Sequence, residues 1–290
     1  MKLMAFGLGY SATAALSRLA PREVVGTTRS AAKAAALAPL AEMRLFDGSP
    51  QAAEALRPAL AGVTHVLVSI APAEGADGGD RVLPVLAEAL AAEKSLVSIA
   101  YLSTVGVYGD HDGAWVDETS ECRPKSARSL ARVKAESQWL AFGDGIGASV
   151  AVLRLSGIYG PGRNGFVNLA EGSARRLVKP GQVFNRIHVD DIAAAVERSF
   201  ATGASGLFNI TDDEPAPPQD VVAYAAELMG VEPPPEQDFE TAELSPMARS
   251  FYGENKRVAN LKSKSELGLS YAYPNYRAAF ARMWAEGSWR

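Results

Sequence analysis

Short apolar runs alternate with longer stretches whose apolar residues recur at helical spacing. MKLMAFG is an apolar run that stops at glycine, and SATAALSRLA repeats its apolar positions every three to four residues. REVVGTTR then reads as a second strand and AAKAAALAPL as a second helix. MRLFDG, an alanine-rich helix over about residues 50–60, the strand THVLVSIA and a helix over about residues 81–94 extend the alternation, the last after a flexible EGADGGD. SLVSIAYLST, the long helix SARSLARVKAESQWLAF and SVAVLRLSG bring the count to six strands in the first 155 residues. Strands separated by helices of crossover length, joined by right-handed connections, predict an α/β fold with a doubly wound parallel sheet.

Beyond Gly160 the rhythm breaks. A glycine-rich loop, a helix near 166–177, RIHVDD leading into a helix through Phe200, the short strand GLFNIT and the proline-marked EPAPP and VEPPPEQ follow. Helices over 219–229 and 276–284 complete a smaller, mostly helical C-terminal lobe, expected over the carboxyl ends of the sheet. The implied division is residues 1–157 for the sheet domain, with 186–203 packing back on it, and 158–185 plus 204–290 for the lobe.

Composition narrows the function classes. The net charge of −4 and the lack of a basic run argue against nucleic acid as a partner. The single cysteine, Cys122, and three unclustered histidines offer neither a disulfide nor a metal site, which fits a reducing cytoplasm. MKLMAFGLGYSATAALSRLA resembles a signal peptide in outline, but two glycines and a tyrosine interrupt it, so it is read as the first strand and helix. No apolar stretch reaches the roughly 20 residues of a membrane helix, so no membrane partner is expected.

Candidate chemistry begins where the first strand turns into the first helix. FGLGYSA has the pattern G-x-G-x-x-A: Gly7 permits the tight turn, Gly9 lets backbone approach a pyrophosphate, and Ala12 lets the helix pack closely. Tyr10 and Ser11 stand in the helix's first turn, where free amides receive phosphate. This makes the sheet domain a Rossmann dinucleotide-binding domain. After the second strand come Thr28, Arg29 and Ser30 rather than an acid, which favours NADP over NAD because arginine accepts a 2′-phosphate. Arg29 also reads as a solvated helix-start charge. Asp47 either accepts from the adenine amino group or begins a turn with Gly48. Ser69, Ile70 and Ala71, where the fourth strand ends, are expected beside the cofactor.

FGLGYSA, YLSTVGVYGD, RLSGIYGPGR, RIHVDDIA and NKRVAN, in that order, resemble the extended short-chain dehydrogenase/reductases, the NAD-dependent epimerase/dehydratase superfamily. Phe6, where extended members often have a further glycine, makes the chain look more like the atypical branch. The resemblance implies a serine or threonine, a tyrosine and a lysine at the site, the lysine holding the nicotinamide ribose and lowering the tyrosine pKa. Thr104 matches the first, with Ser103 beside it as a substrate contact, and Lys134 matches the last. Leu130 stands at the tyrosine position and has no proton to exchange, a role worth about 10²- to 10⁴-fold in rate. Tyr108, Tyr159 and His188 are the candidate substitutes, and each also reads as a packing or hydrogen-bonding residue.

Ser156, Gly157 and Ile158 are expected to line the nicotinamide pocket. Gly157 replaces the asparagine that holds substrate in sugar-nucleotide epimerases of the family, which weakens that assignment. Arg163, Arg186 and Arg257 are candidates for an anionic substrate group. On the long helix, Leu130, Val133, Ser137 and Leu140 share one face with Lys134 at its edge, and Lys134 also reads as solvent-facing. Arg128, Arg132 and Glu136 are expected on the outer face; related enzymes often form homodimers through this helix and the one before it, and the three charges also read as solvated. Two functions follow: an atypical NADP-dependent oxidoreductase or epimerase for a small molecule of unknown identity, or a catalytically disabled NADP-binding sensor or regulator.

Overall fold

The computed structural model describes residues 1–75 and 78–290; Ala76 and Asp77, in the segment read as flexible, lie outside the described residues. The first half runs β1 (Lys2–Phe6), α1 (Tyr10–Leu19), β2 (Glu23–Thr28), α2 (Ala31–Leu37), β3 (Glu42–Leu45), α3 (Pro50–Leu56), β4 (His65–Val68), α4 (Leu83–Ala92) and β5 (Ser98–Thr104). A two-residue β6 (Trp115–Val116), the long α5 (Ala127–Ile146) and β7 (Ser149–Leu155) follow. Then come β8 (Gly157–Tyr159), α6 (Gly165–Ala170), β9 (Arg176–Val178), β10 (Arg186–His188), α7 (Val189–Thr202) and β11 (Gly206–Ile210). The chain closes with α8 (Pro218–Met229), β12 (Glu236–Asp238), α9 (Pro246–Phe251), β13 (Arg257–Val258), α10 (Leu261–Glu266) and α11 (Tyr276–Glu286).

Seven strands form one parallel sheet in the order β11-β7-β5-β4-β1-β2-β3. Successive side chains of a strand point to opposite faces, so β1 feeds two cores. Leu3 and Ala5 join the core under α1 and α7, while Met4 and Phe6 join the core that holds Leu56, Leu86 and Trp139. Strand order reverses between β1 and β4, and a crevice opens there at the carboxyl ends.

Two expectations need correction. Gly206–Ile210, assigned to the small lobe, pairs with β7 as the sheet's seventh strand. Phe208 and Ile210 enter the α1/α7 core, and the 50 residues between β7 and β11 are one further crossover with the lobe's first elements inserted. The lobe itself is built on a third core of Tyr159, Phe166, Tyr276, Phe280 and Met283, and carries short parallel strand pairs beside its helices.

The second correction concerns α5. Its buried residues include Ser129, Ala135, Glu136 and Trp139, whereas Leu130 is 53% exposed and Lys134 faces solvent. Of the residues read as outward, Glu136 is buried and Arg132 half-buried while Arg128 stays exposed; of the Leu130 face, Val133 and Leu140 still pack against core side chains. The cause is a buried ion pair: Glu136 turns inward to Arg154 of β7, with Nη2 to Oε2 at 2.7 Å, so the inward face carries charge and the leucine is left outside. Among the described residues no helix is long and apolar enough to cross a membrane, and no His, Cys, Asp and Glu side chains cluster as metal ligands.

Candidate active site

The β1–α1 turn has a closed side and an open side. Gly7 has φ +87°, and a Cβ there would overlap Ile70 Cγ2. Gly9 caps α1 at φ −105°, and a Cβ there would meet nothing within 4 Å. The turn is held by Thr27, whose Oγ1 accepts from the Gly7 amide at 2.8 Å and whose carbonyl accepts from the Leu8 amide at 2.9 Å. The sequence places Thr27 only among the residues that end the second strand in place of an acid; its burial within β2 fixes it under the turn. The first turn of α1 has no side-chain cap and no acidic residue, so its free amides and positive end are available to an anion. Ser11 faces the crevice, Ala12 packs in the core, and the Tyr10 hydroxyl donates to the Pro161 carbonyl at 2.9 Å.

At the end of β2, the Thr28 hydroxyl accepts from the Ser30 amide, and Ser30 caps α2 by accepting from the Lys33 amide. Arg29 is exposed and makes no ion pair among the described residues. Asp47 accepts from the Ser49 amide at 2.9 Å, and hydrogen bonding from Ser49 holds its carboxyl below the usual range. At the end of β4, Ser69 reaches the crevice, the Ile70 amide donates to the Phe6 carbonyl, and the Ala71 carbonyl accepts from Arg81.

Between the sheet and the lobe lies a cleft of about 750 Å³. It brings together Ser11, Ser69, Ser103, Thr104, the run from Ser156 to Tyr159, Arg163 and Arg186, all anticipated from sequence. Thr104 Oγ1 accepts from the Gly106 amide at 3.1 Å. The Ser103 hydroxyl donates to Glu136 and is thereby committed to the buried ion pair.

Neither Leu130 nor Lys134 lines this cleft; Arg132 does. Its Nη1 donates to the Leu102 carbonyl at 2.7 Å and the Tyr101 hydroxyl at 3.2 Å. Two residues along a helix is about a 200° rotation, which turns Lys134 away from Arg132's side and sets its stem against Gly79, in the segment that follows β4. The residue four before Arg132 is Arg128, whose guanidinium lies 5.6 Å from the Phe251 ring, so the cleft-facing side of α5 carries no phenol. The same offset operates at β13. Arg257 bonds the Gly113 carbonyl away from the cleft, and its neighbour Lys256 lines it, because adjacent strand residues point to opposite faces.

Of the three proposed proton carriers only Tyr159 reaches the cleft. Tyr108 is fully buried, donates to Asn209 Oδ1 at 2.7 Å, and is pushed up to about 12 by burial. His188 stacks on Tyr273 at 3.7 Å, its Nδ1 accepts from the Asp190 amide, and burial lowers it to about 4, so it is neutral at physiological pH. The Tyr159 hydroxyl is buried without a hydrogen-bond partner, and burial raises its pKa. A second phenol, Tyr252, also lines the cleft, its ring stacked on Phe239 at 4.8 Å. Sequence reading missed it; the only signal was its place four residues before Lys256 in FYGENK.

Asp212 lies behind Arg186, its amide donating to the Arg186 carbonyl at 2.7 Å. Its Oδ1 accepts from the Glu214 amide, Oδ2 has no partner, and burial pushes the carboxyl up to about 8. The folded value lies above the ordinary 3.8, so this group's stabilising contribution is complete below the ordinary value and is lost as pH rises through about 8. Asp212→Asn is therefore expected to gain thermal stability relative to the parent between pH 5 and 8, by on the order of several degrees. A melting-temperature difference that stays flat across that range would sink this account.

The crevice at the strand-order reversal, with its glycine turn at the amino terminus of α1, defines a Rossmann-type dinucleotide-binding architecture. The model of the NAD dependent epimerase/dehydratase family matches residues 9–211, and the chain belongs to that family. A functionally unknown conserved protein from Silicibacter pomeroyi DSS is 46% identical over 99% of both chains, with a TM-score of 0.86. Protein YeeZ of Escherichia coli (strain K12) is 31% identical over 183 residues, 61% of this chain and 59% of YeeZ, so the match spans less than two thirds of that relative. The dTDP-glucose 4,6-dehydratase DesIV of Streptomyces venezuelae, solved with NAD and TYD bound, is 18% identical over 99% of this chain and 97% of its own, with a TM-score of 0.78. At that identity it shares the fold alone.

Proposed function

We propose that the chain is an NADP-dependent oxidoreductase or epimerase that acts on a small molecule in the cleft. The carrying observation is the open side of the Gly9 turn, which lies at an uncapped helix end beside the cleft that Thr104, Ser156 and Arg132 share. The bound dinucleotide would supply hydride transfer. Gly9 and the first amides of α1 would hold its phosphates, Arg29 its 2′-phosphate, and Arg132 would take the ribose and charge role that the family gives to lysine. Thr104 would orient the substrate oxygen, and the phenol that exchanges its proton would come from Tyr159 or Tyr252, the two that reach the cleft.

The disabled-sensor reading rested on Leu130 and Gly157. Leu130 is 53% exposed and does not line the cleft, which favours the enzyme reading, while Gly157 lines it and remains the support of the sensor reading. Fluorescence titration with NADPH and NADH tests the proposal. NADPH is expected to bind roughly tenfold more tightly, the worth of one charge-assisted hydrogen bond, and Arg29→Ala should narrow the gap. Equal affinities would retire the NADP assignment, and no binding of either would retire the reading.

A further inference from the structure

The lobe side of the cleft holds a cation that the protein itself does not neutralise. Arg186 opens β10 directly opposite Gly157 of β8, with His188 opposite Tyr159. Arg186 is half-buried and lines the cleft. Its Nη1 donates to the carbonyls of Phe184 at 2.9 Å and Ala216 at 3.1 Å, and its Cζ lies 5.9 Å from the Tyr276 ring centroid. These contacts fix the plane of the group and leave the other nitrogens unused. Among the described residues no carboxylate lies within 4.0 Å of it. Asp212 is the carboxylate that acts on it most strongly, and burial pushes that carboxyl up, towards its neutral form.

Two further groups lack partners in the same cleft. Ser156 Oγ and the Tyr159 hydroxyl are buried, at 5% and 6% exposure, and make no hydrogen bond. Buried polar groups are nearly always satisfied, so two orphan hydroxyls lining a cleft beside an unpaired guanidinium indicate a missing acceptor. The charge balance agrees. Arg132, Arg163, Arg186 and Lys256 line the cleft against Glu254 alone, and Glu254 is taken by Lys256 at 2.7 Å. A cationic cleft in a chain of net charge −4 draws in anions.

We propose that Arg186, with the hydroxyls of Ser156 and Tyr159, receives one carboxylate or phosphate group of the substrate, which makes that substrate a small organic anion and leaves Tyr252 as the phenol for proton exchange. The planar guanidinium suits a bidentate oxyanion, and the two hydroxyls donate to its remaining lone pairs. The assignment rests on the cleft being the substrate site, but it does not require the dinucleotide.

The test is isothermal titration of the full chain, without dinucleotide, with inorganic phosphate and separately with malonate. At least one is expected to bind well above chloride, and Arg186→Gln should weaken it by about tenfold or more. Arg186→Lys should recover only part of the loss, since it keeps the charge without the fork. If circular dichroism shows Arg186→Gln misfolded, Ser156→Ala and Tyr159→Phe remove hydroxyls that bond nothing in the fold, and each should weaken the anion several-fold. Wild-type affinity in folded Arg186→Gln, or in both hydroxyl variants, would overturn the assignment, as would a parent protein that binds neither anion better than chloride. The NADPH titration on the parent is a separate readout, so failure of the cofactor reading and failure of this one are told apart.

Discussion

Glu136→Ala is expected to destabilise the protein by about 3–5 kcal/mol, the usual result of removing one partner from a buried ion pair. Both side chains are 3% exposed as whole residues, and the carboxylate takes hydrogen bonds from Arg154 Nε and Nη2 and from the Ser103 hydroxyl. Burial alone would lower the Arg154 pKa, and the bonds to Glu136 overturn that and leave it raised. Without the carboxylate, a guanidinium that cannot shed its proton is left against the Tyr108 ring, 4.9 Å away, with Nη1 already unpartnered. Replacing both members with apolar residues should restore much of the loss, because desolvation of two charges is then avoided. Urea unfolding followed through buried Trp139 measures this. A midpoint shift worth under about 1 kcal/mol for the single variant would mean that water or a neighbour rescues the charge. The effect extends to the site: Ser103 is anchored by Glu136, and the next residue is Thr104.

Gly9→Val should weaken dinucleotide binding by on the order of 100-fold, about 2.7 kcal/mol, while costing the free protein no more than about 1 kcal/mol for the poorer helix cap. Its backbone, φ −105° and ψ −168°, is extended and open to a β-branched residue, and its Cβ would meet nothing in the fold. The added methyl groups would fill the approach to the α1 amides. Gly7→Ala, two residues earlier, should behave in the opposite way. At φ +87°, with Ile70 in the path of a Cβ, it should cost roughly 1–3 kcal/mol of stability whether or not a ligand is present. Melting curves and NADPH titration on both variants separate the two roles. A Gly9→Val protein that binds NADPH like the parent would remove the main support for a dinucleotide at this turn.

Much of this architecture was legible in the chain. Strand and helix periods, the glycine turn and the short loops at strand ends placed Ser11, Ser69, Thr104 and Ser156 at one edge of the sheet, and all four line the cleft. These are backbone positions, set by where strands stop, and a two-residue error in an element boundary hardly moves them. Side-chain direction is less forgiving. Lys134 was chosen for its place in the family's motif and Arg257 for its charge, and Arg132 and Lys256, one or two places away, reach the cleft. Tyr252 and the turn-holding contact of Thr27 were invisible for another reason: each acts through residues far away in sequence, Phe239 and Gly7.

By itself, then, the sequence determined which segments are strands and helices and where glycine lets backbone approach a ligand, because those properties follow from local geometry and periodicity. Only the tertiary structure decided which face of α5 turns inward. The apolar-inward rule chose Leu130, but the Arg154–Glu136 pair, formed across 18 residues of sequence, turned the helix so that Glu136 is buried, Arg132 enters the cleft and Leu130 meets water. A buried, fully paired charge looks like a surface charge in one dimension, and its partner becomes visible only when the chain is folded.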